Sequence, residues 1–303
     1  MIRLDMAEFN ARGHAQLPDR STFIEGGPMG FLLVHGLGGT PVELRFVAEG
    51  LARAGHTVHC CQLAGHCSTP AELKASTRKQ WYASVEAAHD RLRRHCDIVI
   101  VGGLSMGAIL ALHLADRRPD QVDGLLLLAP TLRLDGWSMP WYGFMLRCLW
   151  YFPRSIDLEL TEREPYGIKD ERIRAFVVNS MRSGDAEAAG VFSTPAHSFA
   201  QFNHLVAAIW PRLGRIRTPA LIVHPRNDDM ASLANAHELQ RRLGGLVELI
   251  VLDDSYHIVT LDRQRHIVVD RALAFARRTE TTARHRPAGL PPLHKSMVTR
   301  VGR

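Results

Sequence analysis

The stretch of this chain best equipped for chemistry is Gly103-Leu104-Ser105-Met106-Gly107. A serine hydroxyl is a weak nucleophile at neutral pH and needs both a turn that presents it and a base that takes its proton. The apolar run Ile98-Val99-Ile100-Val101 precedes it and reads as a buried strand, while Ala108 to Ala115 reads as a helix. Strand, G-x-S-x-G, then helix is the context of a nucleophile elbow. The turn strains the serine backbone, and glycines two before and two after let strand and helix approach closely.

Chain order selects the partners of Ser105. Behind such an elbow the order is nucleophile, acid, histidine, with acid and base on loops after later strands. That order reduces 16 histidines to a few. Asp228 and Asp229 follow the strand-like run Ala220–Val223, and His257 follows Val247–Leu252. Both loops fall at C-terminal strand ends, where ligands gather in open parallel sheets. His257 is therefore the candidate base. His224 precedes the acid, and His266 falls in the last helix as a solvated side chain. Spacing leaves Asp228 and Asp229 equal as the acid, with Asp253 and Asp254 as lesser alternatives.

An oxyanion hole needs two backbone N–H groups. One falls on Met106, at the start of the helix, where the dipole favours negative charge. The other falls on Leu37, flanked by glycines in His35-Gly36-Leu37-Gly38-Gly39 after the strand Phe31–Val34. A glycine-rich loop after a strand also binds phosphate, but no Lys-Ser or Lys-Thr follows this one, which argues against a nucleotide.

The elements that must position these residues alternate. Strands are expected at Phe31–Val34, His56–Cys61, Ile98–Val101, Val122–Leu128, Ala220–Val223 and Val247–Leu252. Helices are expected from Pro41 to about Ala54, with Thr40 as N-cap, and over about Gln80–His95, Leu233–Leu243 and Arg263–Arg278. Such alternation implies an α/β fold with a mostly parallel sheet and helices on both faces. From Thr131 to Arg215 it stops, in a segment rich in Trp and Met that reads as a helical insertion. The domain reading is one discontinuous core of 1–130 and 216–280, a cap of 131–215, and a basic tail of 281–303.

Composition narrows the function classes. A hydrophobic content of 46% and a charged content of 22% describe a soluble globular chain, without an apolar run long enough for a membrane anchor. The net charge of +6 is partly local, because from Arg277 onward Arg277, Arg278, Arg284, Arg286, Lys295, Arg300 and Arg303 stand against Glu280 alone, among prolines and without aromatics. That pattern argues against nucleic acid as a partner. Asp5 and Glu8 interrupt any signal-peptide-like segment, and five irregularly spaced cysteines point to a reducing, cytoplasmic setting. His59, Cys60, Cys61, His66 and Cys67 cluster without a zinc-like spacing, so no metal is expected.

Taken together, Val34-His35-Gly36-Leu37-Gly38-Gly39-Thr40-Pro41, the elbow, Asn227-Asp228-Asp229-Met230 and Ser255-Tyr256-His257-Ile258-Val259-Thr260-Leu261-Asp262 resemble the α/β-hydrolase superfamily. The likeness is to its bacterial carboxylesterase and monoacylglycerol-lipase-like branch and covers about Gly30 to Arg278. It implies Asp228, the first acid of its pair, as the partner of His257, and Leu37 and Met106 as oxyanion donors. Tyr256, Asn227 and Ala108 depart from the branch's commoner Gly, His and Gly. No catalytic group is lost, but Tyr256 narrows the space near His257.

These readings imply a serine carboxylesterase that hydrolyses small-molecule esters with apolar short-to-medium acyl chains through an acyl-enzyme, without a cofactor. A monoacylglycerol lipase, acyltransferase or thioesterase is the alternative, and a non-catalytic ligand-binding relative a more distant one. The resemblance also implies that the insertion covers Ser105. Its aromatic and Met-rich stretch, with Trp137, Trp141 and Met145, is the expected acyl-chain site.

Overall fold

The structure is a computed structural model and describes residues 19–139, 159–161, 163–182 and 193–284. In chain order its strands are β1 (Thr22–Ile24), β2 (Gly27–Val34), β3 (His56–Cys61), β4 (Ile98–Leu104), β5 (Gly124–Leu128), β6 (Glu159–Thr161), β7 (Ser193–Pro195), β8 (Ala220–Pro225) and β9 (Val247–Leu252). The helices are α1 (Arg45–Arg53), α2 (Pro70–Ala75), α3 (Arg78–Arg93), α4 (Met106–Arg117), α5 (Glu171–Arg182), α6 (Ala196–Ile209), α7 (Ala234–Arg242) and α8 (Arg265–Arg284). Seven strands form one sheet in the order β1-β3-β2-β4-β5-β8-β9. β1 pairs antiparallel with β3, and every other neighbour in the sheet is parallel.

The continuous apolar runs are explained by burial on both faces. Successive side chains on a strand point to opposite sides. Leu32, Val99, Val101, Leu125, Leu127 and Ile222 thus pack with Trp81 and Val85 of α3 and with Ile109 of α4. Their neighbours Phe31, Leu33, Ile100, Leu126, Leu128 and Val223 pack on the other face with Leu51 of α1 and with Val268 and Phe275 of α8. Each fully buried Leu, Val or Phe stabilises by about 1.5–3 kcal/mol. An exposed ion pair such as Arg45–Glu49, at 2.7 Å, contributes at most about 1 kcal/mol. Sheet packing, rather than surface charge, fixes the strand ends that carry the site.

Local signals account for several boundaries. The Thr77 hydroxyl and the Gln80 side chain form a capping box at the start of α3. Thr40 accepts from Val42 N at 3.3 Å, as expected of an N-cap. The helix expected from Pro41 instead begins as a 3-10 turn, Pro41–Leu44, before α1. α4 is buried from Met106 through Leu112, its wholly apolar first two turns, before His113, Asp116 and Arg117 follow. α8 runs to Arg284, four residues past the boundary expected at 280.

Residues 131–215 contribute the antiparallel pair β6–β7, α5, α6 and a 3-10 turn over Trp210–Arg215. Phe202 and Leu205 of α6 join the same apolar cluster as α4, which seats this part of the segment on the helix that starts at the elbow. Among the described residues, no helix is long and apolar enough to cross a membrane.

Candidate active site

β4 ends at Leu104, α4 begins at Met106, and Ser105 is the whole of the turn between them. Its φ of 56° and ψ of −115° lie where a non-glycine residue is strained by about 1–3 kcal/mol. The surroundings hold it there: Ser105 N donates to Leu128 O at 2.9 Å and Ala108 N donates to Ser105 O at 3.2 Å. The flanking glycines are demanded by the end of β2. A Cβ on Gly103 would lie 2.3 Å from Val34 O, and one on Gly107 would lie 2.1 Å from the same oxygen.

The loop after β2 closes over this turn. A Cβ on Gly36 would stand 3.7 Å from Ser105 Cβ. Gly36 N donates to Glu43 Oε1 at 2.6 Å, and His35 Nε2 accepts from Leu63 N at 3.1 Å. His35 Nδ1 then donates to Gly36 O at 2.9 Å. Burial drives the pKa of His35 down to about 4, so this histidine works as a neutral brace. Leu37 lies inside the braced loop, and Met106 N heads a helix whose first N–H groups lack intrahelical acceptors.

The candidate acid and base meet at the ends of β8 and β9. His257 Nδ1 lies 2.8 Å from Asp228 Oδ2 and 3.0 Å from Oδ1. Asp228 Oδ1 also accepts from Met230 N and Ala231 N, each at 2.8 Å. Burial alone would raise the Asp228 pKa, but the charge and hydrogen bond of His257, His224 and the backbone donor Ala231 bring it below the ordinary value. Burial likewise opposes protonation of His257, yet the Asp228 carboxylate, helped by Asp229 and Glu43, raises its pKa above 6.5. With Nδ1–H donated to Asp228, the Nε2 lone pair remains as the basic atom.

Asp229 does a different job. Its Oδ1 accepts from His257 N at 3.2 Å and its Oδ2 from Gly167 N at 2.9 Å. It therefore ties the backbone of the histidine loop to the segment after β6. Asp262 reinforces the same junction, accepting from Tyr256 N, Lys169 N, Asp170 N and Arg263 N at 2.6–3.0 Å. Asp253 and Asp254 are exposed partners of Arg226 and of Lys169 and Arg263. Buried His224 donates from Nε2 to Ala231 O at 2.8 Å and stands 3.4 Å from Asp228.

Two placements go beyond the sequence reading. The Ser105 hydroxyl bonds Thr131 Oγ1 at 3.1 Å. A signal existed, because Thr131 follows the end of β5, the strand beside β4. Trp137 is 57% exposed, and its indole N–H donates to Asn227 O at 3.0 Å. Its ring meets Tyr256 edge-on at 5.4 Å, so it spans the loops that carry Asp228 and His257. Trp141 and Met145 lie outside the described residues. Among the described residues, no group of three or more His, Cys, Asp or Glu side chains is arranged to hold a metal ion.

A family model described as "Serine aminopeptidase, S33" (Hydrolase_4) matches residues 30–264, from within β2 to beyond His257. The chain belongs to this family. Within it, this S33-family hydrolase stands in the bacterial esterase and monoacylglycerol-lipase-like branch of the α/β-hydrolases. It is 30% identical over 254 residues to the thermostable monoacylglycerol lipase of Bacillus sp. strain H-257, covering 84% of this chain and 92% of that protein. It is 23% identical over 259 residues to a carboxylesterase of Bacillus subtilis strain 168, covering 83% and 93%. A solved structure from work on LipS and LipT, two metagenome-derived lipolytic enzymes, matches with a TM-score of 0.74 and 32% identity, over 85% of this chain and 97% of that one.

Proposed function

We propose that this S33-family hydrolase is a serine carboxylesterase with Ser105 as nucleophile, His257 as base and Asp228 as orienting acid. The observation that carries the reading is the buried His257–Asp228 pair, at 2.8 Å, beyond the C-terminal ends of parallel strands, as is the strained Ser105 turn. His257 Nε2 takes the Ser105 proton as Oγ attacks the ester carbonyl. Leu37 N–H and Met106 N–H hold the oxyanion, and His257 returns the proton to the departing alcohol. Water activated by His257 then releases the acid. The sequence uses no cofactor.

The segment 131–215 is read as the cap that supplies the acyl-chain site, with Trp137 beside Tyr256 at its described end. A cytoplasmic setting is in keeping with Cys60, Cys61, Cys67 and Cys96, which are all free and buried. The relative that is a monoacylglycerol lipase favours a second reading, in which the alcohol released is glycerol.

An ester panel decides between the two. Turnover of p-nitrophenyl esters from acetate to palmitate is expected to peak at short-to-medium chains and to exceed turnover of matched monoacylglycerols. A preference for long-chain monoacylglycerols would favour the lipase reading. Transfer to an added alcohol in place of water would favour an acyltransferase, and turnover of none of these would reject the proposal.

The pH profile has a required sign. His257 must be neutral to accept the serine proton, and its pKa is raised. The acid limb of kcat/KM should therefore have its midpoint above 6.5, the ordinary histidine value. A midpoint below that value would contradict the pairing with Asp228.

A further inference from the structure

We propose that Thr131 is a further catalytic residue, whose hydroxyl donates a hydrogen bond to the serine oxygen while the acyl-enzyme is hydrolysed. This inference rests on the carboxylesterase reading. Thr131 is buried, 1% exposed, with Oγ1 3.1 Å from Ser105 Oγ and 3.2 Å from Ala129 O. A threonine hydroxyl has one proton and two lone pairs. In the resting arrangement that proton goes to the Ala129 carbonyl, so the contact with Ser105 is filled by the serine's own proton.

Acylation removes that possibility. The ester oxygen of an acylated Ser105 carries no proton and can only accept. A hydrogen bond across the same 3.1 Å then requires Thr131 to turn its O–H from Ala129 O to Ser105 Oγ. As water adds to the acyl carbonyl, His257 Nε2 takes a proton from the water, and Oγ loses its ester resonance and becomes a stronger acceptor. On collapse the C–Oγ bond breaks, the electron pair stays on Oγ, and His257 returns the proton to Oγ. Thr131 keeps its own proton throughout and stabilises the charge that builds on the leaving oxygen.

The surroundings fit this function. Thr131 sits between two anchored backbone points. Ala129, at φ 41°, donates its N–H to Val223 O at 2.8 Å. Leu132 N and Arg133 N both donate to Oδ1 of the buried Asn235, at 2.9 and 2.8 Å. Asn235 is held in turn by Asp135 Oδ1 and Ser232 O. The backbone is fixed on both sides, so the hydroxyl can turn its proton without any shift of the chain.

The test is pre-steady-state hydrolysis of p-nitrophenyl butyrate by wild type, Thr131→Val and Thr131→Ser. Wild-type turnover would first verify the esterase reading on which the inference stands. In Thr131→Val the steady-state rate should fall about tenfold, while the acylation rate changes less than about threefold, so a burst of nitrophenol of one equivalent precedes slow release. Thr131→Ser should restore the steady state. Equal slowing of both phases, failure of Ser to rescue, or a Val variant within about twofold of wild type in both phases would overturn the role of Thr131 and leave the esterase reading intact. No turnover by wild type would instead overturn that reading and the inference with it.

Discussion

Replacing Ser105 by Ala is expected to lower ester turnover by at least about 10⁴-fold, because no other group at the elbow can form the acyl bond. The protein should stay folded. Alanine keeps the strained φ of 56° at this position, so backbone strain is unchanged. What is lost is one side-chain hydrogen bond to Thr131, about 1 kcal/mol. For a domain of this size that corresponds to a fall of about 2–4 °C in Tm. Purified Ser105→Ala protein with the wild-type circular dichroism spectrum and no turnover would match this expectation. Turnover within about tenfold of wild type would remove Ser105 from the chemistry.

Asp228→Asn carries the second large effect. The Asn Oδ1 can still accept from Met230 N and Ala231 N, so the loop keeps its anchors. Its NH₂ group then faces His257 Nδ1, a donor against a donor. The imidazole responds by moving its proton to Nε2, the atom that must receive the serine proton. A wrong tautomer of this kind lowers kcat by about 10⁴-fold with little change in geometry. Asp229→Asn is the informative contrast. Asp229 bonds backbone amides of His257 and Gly167 rather than the imidazole. Losing one of those bonds shifts the loop without changing the tautomer, so a fall of about 10–100-fold is expected. Steady-state kinetics on both variants reads the difference, and a larger loss in Asp229→Asn would reverse the two assignments.

The parallel sheet was legible because Phe31–Val34, Ile98–Val101, Leu125–Leu128 and Ala220–Val223 are buried on both faces and read as apolar runs between helical stretches, whereas β9, at the end of the sheet, is only partly buried. The elbow was legible for a local reason, since Gly103 and Gly107 answer to a carbonyl of the adjacent strand. Chain order pointed to His257 and to the pair Asp228 and Asp229 as candidates, although spacing alone did not separate the two acids. Their difference lies in tertiary contacts: Asp229 reaches Gly167 across 62 residues of sequence. Asp262 is similar, binding Lys169 N across 93 residues, and its place shortly before α8 reads at most as a helix cap. The short pairs β1–β3 and β6–β7 involve strands of three residues, too few for a periodic signal. Exposed Trp137 shows the same limit. Its composition marked an apolar site, but its indole N–H is fixed by a carbonyl 90 residues away.

The most direct test of the account is to treat the wild-type protein with a fluorophosphonate, follow ester hydrolysis, and map the adduct by mass spectrometry of the digested chain. One adduct is expected, on Ser105, whose formation parallels the loss of activity and which Ser105→Ala abolishes. Full activity with Ser105 unmodified, or inactivation by an adduct on another residue, would contradict it.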